Sequence, residues 1–289
     1  MQVESQTRTQ YIECGSHRLA VDIFGPAAEP AVLLVHGIPG WRGTWREVAA
    51  RLCARAQVLV PDLVGFGQSS AAPRGVHAAD HADVLIDLMR RLDRPRVHVV
   101  GFDFGGPTAA QMASRAPGLV ASLTLIATNV LTDTPIPLPL HLVRPPVIGD
   151  LFARVFFGRF GLSMMWRGAV VRRDRFRFQD YREALRFPQG IASTREIFQA
   201  SLRDLPGLYG PIESALATLD LQCTVVWGER DPFFPVSVGE RTARHIPRAS
   251  FVVLKGCGHF LPREDPDGVA RIVQTVLDPG GFAAQSHPS

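Results

Sequence analysis

The strongest constraint on the fold of this chain is a rhythm of two alternating patterns. Short, mostly unbroken apolar runs occur at Ala31–Val35, Gln57–Val60, Val97–Val100, Leu119–Ile126, Cys223–Trp227 and Ser250–Leu254. A run that is apolar throughout, rather than at every second residue, reads as a strand covered on both faces. Between the runs lie stretches that read as helices: Thr44–Arg55, Asp80–Leu92, Pro107–Arg115, Val236–Ile246 and Pro266–Leu277. In Asp80–Leu92, for example, Val84, Leu85, Leu88 and Leu92 fall on one helical face. Two further short strands, Gln10–Cys14 and Leu19–Phe24, open the chain around a turn at Gly15–Ser16. Strands alternating with helices predict a mostly parallel sheet with helices on both faces. Right-handed crossovers then bring the carboxyl ends of the strands to one edge, where ligands bind in such sheets.

The alternation stops after Asn129. A proline-rich segment, Thr132–Pro146, leads into an arginine-rich helical stretch that runs to about Ala217. The expected organisation is a core of residues 1–129 and 218–289 with a helical cap, residues 130–217, inserted into it. A chain of 289 residues has room for both.

Composition excludes several classes. With 46% hydrophobic and 20% charged residues the chain is an ordinary globule. No apolar run nears the roughly 20 residues of a membrane helix, and Met1–Gln10 is polar, without the apolar centre of a secretory signal. The expectation is a cytoplasmic protein without membrane or nucleic-acid partners, acting on a small molecule; a homodimer is compatible with the sequence. The net charge of +4 comes from arginines, Lys255 being the only lysine. Arginines crowd Arg154–Arg186, which reads as a solvated face; the sharper alternative is that one of them reads a carboxylate or phenolate on the substrate. The four cysteines form no CxxC pair, so no zinc or redox motif is present, and neither a metal nor an organic cofactor is expected.

The chemistry gathers at loops that follow strands. Gly-Phe-Asp-Phe-Gly-Gly, residues 101–106, is a glycine-flanked turn between a strand and a helix with Asp103 at its centre. Such a bend aims the central side chain into the cleft, where the helix amino end favours an anion. His-Gly-Ile-Pro, residues 36–39, follows the strand Ala31–Val35, and its Ile38 N–H pairs with that of Phe104 as a candidate oxyanion hole. Asp231 and His259 each stand just past a later strand. The order nucleophile, acid, histidine is that of the α/β-hydrolase fold.

With Pro-Asp-Leu-Val-Gly-Phe-Gly-Gln-Ser at 61–69 as a fourth motif, the chain resembles α/β-hydrolases from about Gln10 to Leu277. An aspartate at the elbow places the resemblance in the branch of epoxide hydrolases and haloalkane or haloacid dehalogenases. That resemblance implies a carboxylate attack on saturated carbon, giving an alkyl ester of Asp103. His259 then activates water against the ester carbonyl, and Asp231 orients the imidazole. His36 and Asp62 are expected to be structural.

Substrate class is where readings divide. Dehalogenases of this kind show side-chain N–H donors where this chain has Ile38 and Phe104, whereas His-Gly-Ile-Pro is close to the epoxide-hydrolase form. The resemblance also implies two cap tyrosines over the epoxide oxygen. Tyr209 stands where the later one is expected; the early cap has none. Tyr181, Trp166, His141 and Trp41 are the remaining candidates for the substrate pocket. Phe152, Phe156, Phe157, Met164 and Met165 suggest an apolar or aromatic substrate. The leading expectation is an epoxide hydrolase. The alternatives are a dehalogenase with the same triad, and a non-hydrolytic or ligand-binding protein on this fold.

Overall fold

The computed structural model describes residues 7–27, 29–134, 141, 145–156 and 158–277. Eight strands form one sheet: β1 (Thr7–Cys14), β2 (His17–Phe24), β3 (Ala31–Val35), β4 (Gln57–Pro61), β5 (Val97–Phe102), β6 (Val120–Ile126), β7 (Cys223–Gly228) and β8 (Ala249–Leu254). Their spatial order is β1-β2-β4-β3-β5-β6-β7-β8. The β1–β2 and β2–β4 pairs are antiparallel, and every other pair is parallel. The expected rhythm is thus the observed one, and each apolar run is a strand.

Alternate residues of the central strands serve different layers. Leu33, Val35 and Val99 pack with Leu85 and Leu88 of α2 (Ala78–Arg91) and Met112 of α3 (Gly105–Arg115). Val32, Leu34 and Val100 pack on the opposite face with Val48 and Leu52 of α1 (Arg46–Leu52) and Val273 of α11 (Pro266–Leu277). Both faces are dry, which is why the runs carry no polar alternation. Each fully buried leucine or valine here contributes about 1.5–3 kcal/mol. The helix expected over 44–55 begins instead as a 3-10 turn, Arg42–Trp45, before α1. Buried Arg42 explains the turn. Its Nε pairs with Asp22 at 2.9 Å, its guanidinium bridges Asp62, and its backbone N–H donates to Asp62 Oδ1 at 2.7 Å. Asp62 also accepts the Gln68 N–H at 2.8 Å, so it fixes its own loop as the sequence suggested.

Between β6 and β7 the described residues form α4 (Pro146–Phe156), α5 (Arg159–Ala169), α6 (Phe178–Tyr181), α7 (Pro188–Arg203) and α8 (Leu205–Ala217). This insert is tied to the sheet by polar contacts. Gln189 donates to the Gly67 and Ser69 carbonyls at 2.9 and 3.0 Å, and Ser193 to the Gly65 carbonyl at 3.1 Å. Arg154, Arg167, Arg173, Arg175, Arg177, Arg182 and Arg186 are exposed, as a solvated face requires. Phe157 lies outside the described residues. After β7 come α9 (Val236–His245) and, past β8, a single-turn helix, α10 (Leu261–Glu264), too short to leave a periodic signal.

The chain leaves β3 toward β4 on one side, while β5 lies on the other, so the loops after β3 and β5 face each other. Asp103 sits at the head of β5 with φ +51°, in the left-handed region. Its turn closes tightly, since a Cβ on Gly101 would lie 2.2 Å from the Gly105 carbonyl oxygen. A Gly101→Ala variant is therefore expected to lose about 1–3 kcal/mol of stability to overpacking, read as a lower urea midpoint, whereas Gly118→Ala, where a Cβ meets nothing within 4 Å, tolerates the change.

Candidate active site

Three loops converge on Asp103. From the β3 side, the Ile38 N–H donates to Asp103 Oδ2 at 2.7 Å. The approach depends on Gly37, where a Cβ would fall 2.5 Å from the Asp103 Cβ. From β6, Thr128 Oγ1 donates to the Asp103 carbonyl at 2.6 Å and packs where Gly106 has no side chain. From β8, His259 places Nε2 3.6 Å from Asp103 Oδ1. The two carboxylate oxygens thus have different partners, one an amide and the other an imidazole. Of the two amides expected to converge, the Phe104 N–H makes no bond to Asp103 among the described contacts; Phe104 is the residue that opens α3.

His259 is 3% exposed and Asp231 is 8% exposed. Asp231 Oδ2 accepts from His259 Nδ1 at 2.8 Å, so Nδ1 carries the proton and Nε2 faces the cleft. Asp231 Oδ1 accepts the Phe233 and Phe234 N–H groups at 2.8 and 3.1 Å, which fixes the carboxylate itself. Burial alone pushes the His259 pKa down. The charge of Asp231, hydrogen bonds to both carboxylates and the charge of Asp103 outweigh it and raise it to about 10. Held between two carboxylates, the imidazole is a cation in the resting site.

The loop that carries His259 is anchored by Glu264, which is 1% exposed. Its Oε2 accepts the N–H groups of Val171, Arg172 and Gly258 at 2.8, 2.9 and 3.1 Å, and its Oε1 that of Phe260 at 3.1 Å. The His259 N–H donates to the Ala169 carbonyl at 3.0 Å. The insert and the histidine loop therefore share one buried carboxylate. Sequence reasoning missed Glu264; its signal was an acid five residues after His259.

His36 is buried and fully used. It accepts the Leu63 N–H on Nε2 at 3.0 Å, which leaves Nδ1 to donate to the Gly37 carbonyl at 2.8 Å. Burial lowers its pKa. It braces the loop that presents Ile38.

The cleft has two chambers that meet at Asp103 and His259. The larger, about 150 Å³, is walled by apolar groups including Phe156, Met165, Leu202, Phe233 and Phe234, together with Tyr209. The smaller, about 30 Å³, is lined by Trp41, Asp180, Tyr181 and Arg263 among others. Tyr181 and Tyr209 are 5% and 6% exposed. The Tyr181 hydroxyl has no hydrogen-bond partner. Burial first, and then the charge of Asp103, push its pKa up; burial, opposed by a Ser201 hydrogen bond, pushes that of Tyr209 up to about 12. Both phenols stay protonated and able to donate.

Two expected pocket residues do not belong to the cleft. Trp166 spends its N–H on the Phe176 carbonyl at 3.1 Å and packs against Phe178, 5.7 Å between centroids. His141 is not among the residues that line either chamber. Met164 is 59% exposed and faces away from the pocket. Among the described residues no exposed arginine of the insert lines the cleft; Arg263, near the histidine loop, does. Among the described residues no cluster of side chains could hold a metal ion, and no helix is long and apolar enough to cross a membrane.

A family model described as the alpha/beta hydrolase fold matches residues 30–151. The chain is 26% identical over 261 residues to a 2-hydroxy-6-oxononadienedioate/2-hydroxy-6-oxononatrienedioate hydrolase of Pseudomonas sp, covering 86% of this chain and 88% of the relative. It is 26% identical over 263 residues to haloalkane dehalogenase 2 of Mycobacterium tuberculosis, with coverage of 84% and 86%. In structure it superposes on the epoxide hydrolase CorEH with a TM-score of 0.78 at 20% identity, covering 95% and 99% of the two chains; that likeness concerns the fold alone. The chain has the α/β-hydrolase fold.

The clamp on His259 can be measured directly. Its imidazole is expected to titrate well above the ordinary 6.5 by NMR, and Asp103→Asn to bring the midpoint down. Because the folded value is raised, its contribution to stability is full below about 6.5 and is lost as pH rises through about 10. A second expectation concerns Glu264→Ala. Loss of the shared acceptor strands buried N–H groups and lowers unfolding free energy by about 3 kcal/mol in urea titration, with Glu264→Gln intermediate.

Proposed function

We propose that this protein is an aspartate-nucleophile hydrolase that opens an apolar or aryl epoxide to a diol. The observation that carries the reading is the placement of two buried phenols. Tyr181, with an unpartnered hydroxyl, and Tyr209 line the chambers that meet at Asp103 and His259. A strained oxygen leaving carbon needs donors at that place.

The contacts suggest which atom does what. Oδ2, held by the Ile38 N–H, becomes the ester carbonyl oxygen, and Oδ1 attacks the epoxide carbon. The Asp103–carbon bond forms as the ring C–O bond breaks, with the alkoxide received by the phenols. Esterification cancels the negative charge of Asp103, one of the causes that hold His259 protonated. The imidazolium yields its proton, which completes the new hydroxyl, and the neutral ring is then the base for water. Water attacks the ester carbonyl, its proton returns to His259, the diol leaves and Asp103 is restored. Ile38 N–H steadies the oxyanion of that second step. No step calls for a metal or organic cofactor.

Size favours an aryl group. A cavity of about 150 Å³ with mostly apolar walls accommodates a benzene ring. Dehalogenation is the second reading, and a specific feature favours it too: Asn129 lines the larger chamber, with Oδ1 already accepting from the Leu131 N–H at 3.1 Å, so its amide N–H groups are left to donate. Against it, the side chains of Ile38 and Phe104 carry no N–H, and that of Trp166 is engaged.

The reading is tested by trapping. His259→Gln, mixed with styrene oxide and related aryl epoxides, should gain the mass of one whole epoxide, mapped to Asp103, while Asp103→Asn gains none. A gain equal to a haloalkane minus hydrogen halide would move the function to dehalogenation. No adduct with either class, and no turnover by the unmodified protein, would overturn both.

A further inference from the structure

One cation of the cleft has no counter-charge. Arg263 stands on α10, a turn past His259, and its backbone N–H donates to the Phe260 carbonyl at 2.9 Å. Its side chain is half-buried and lines the smaller chamber. A guanidinium carries five N–H donors. Here Nη1 meets the Gly43 carbonyl at 3.3 Å, a long contact. Nε is buried without a partner, and Nη2 makes no hydrogen bond among the described residues. Two acids follow Arg263 in sequence, yet the fold spends both elsewhere: Glu264 on four backbone N–H groups, and Asp265 on Arg172 at 3.7 Å. The guanidinium lies over the Phe176 ring, 5.2 Å from its centroid. That contact holds the charged head in place without neutralising it.

A half-buried charge left unpaired is costly, and the cost is recovered when a ligand supplies the partner. The smaller chamber has the room. At about 30 Å³ it exceeds the roughly 10–15 Å³ that one water needs, so a group of a few heavy atoms fits. It opens onto Asp103 and His259, which also border the larger, apolar chamber. We propose that Arg263 is the subsite for a carboxylate of the substrate, held on the small-chamber side while an aryl group fills the larger chamber. The planar guanidinium matches that group better than an ammonium does. The identity of the reacting group rests on the epoxide reading; with it, the substrate class is an aryl glycidate, an epoxide that bears a ring on one carbon and a carboxylate on the other. The bond changes are those already given. The Asp103–carbon bond forms as the ring C–O bond breaks, water cleaves the ester, and the product is an aryl dihydroxypropanoate.

Two acids of the insert, Asp180 and Glu183, line the same chamber. Asp180 Oδ2 is engaged by Arg177, whose Nε lies at 3.5 Å and whose backbone N–H donates at 3.3 Å. Neither acid pairs with Arg263. They raise the alternative of an ammonium ligand. Such a group would share the chamber with the Arg263 cation, which already covers the Phe176 ring, and would lie beside the imidazolium of His259. A carboxylate in the same place has two cations for neighbours.

Binding and turnover test different parts of the proposal. Calorimetry on the unmodified protein uses trans-cinnamate, which has no ring to open, its neutral isostere cinnamamide, and the cation cinnamylamine. Cinnamate is expected to bind at least about tenfold more tightly than cinnamamide. Arg263→Gln should abolish that preference, and Arg263→Lys should keep part of it. No binding of cinnamate at millimolar concentration, equal affinity for acid and amide, tighter binding of the amine, or a preference unmoved by Arg263→Gln overturns the proposal. The ligand series on the unmodified protein stands even where Arg263→Gln fails to fold. For turnover, trans-phenylglycidate is compared with trans-β-methylstyrene oxide, which has a methyl group in place of the carboxylate. The ratio of their kcat/KM values should favour the acid and fall about tenfold in Arg263→Gln, chiefly through KM. A ratio that favours the methyl compound also overturns it. Turnover of neither epoxide and no adduct on Asp103, beside a preference for cinnamate that depends on Arg263, would count against the epoxide reading alone and leave the carboxylate subsite standing.

Discussion

The close approach of two loops at the head of the sheet governs everything else in this molecule. Gly37 lets the backbone after β3 come against the Asp103 side chain, and the Ile38 N–H then reaches Oδ2 at 2.7 Å. That contact exists because β3 and β5 are neighbours in the sheet although a strand and two helices separate them in the chain. The glycines at 37, 101, 105 and 106 are all places where a Cβ would fall within about 2.5 Å of another group. Buried leucines and valines hold the layers together, but these crowded positions decide where the carboxylate points.

A second constraint is electrostatic. His259 lies buried between two aspartates, a placement stable only while the imidazole is charged or its neighbours are not. One neighbour, Asp231, is fixed by backbone amides; the other, Asp103, faces the cleft and is the group a substrate would alter. In the proposed mechanism the site alternates between two charge arrangements while the loop stays in place. Glu264 supplies that stiffness by gathering four N–H groups from the insert and the histidine loop onto one carboxylate.

Much of this was legible in the sequence, and the limit follows the physics of each signal. Strands left a strong trace because both faces are dry. Asp103, His36, Asp231 and His259 stood out because their loops are glycine-rich turns at strand ends. The split of the helix at Arg42–Trp45 was invisible, since it depends on Arg42 reaching Asp22 and Asp62, distant in the chain. Trp166 stood among the pocket candidates, yet the turn at Phe176 accepts its N–H. Tyr181 stood among the pocket candidates, but only the folding of α6 against Phe176 and Phe260 brings it beside Asp103. Glu264 acts through partners that no local pattern encodes.

The two chambers on either side of Asp103 differ about fivefold in volume, and the larger is the more apolar. A cleft so divided is handed. Mirror-image ligands cannot both rest a ring in the apolar side and present the same face of the same carbon to the carboxylate. To this site a racemic mixture is two different compounds, and selection between them requires no contact beyond the unequal room already present.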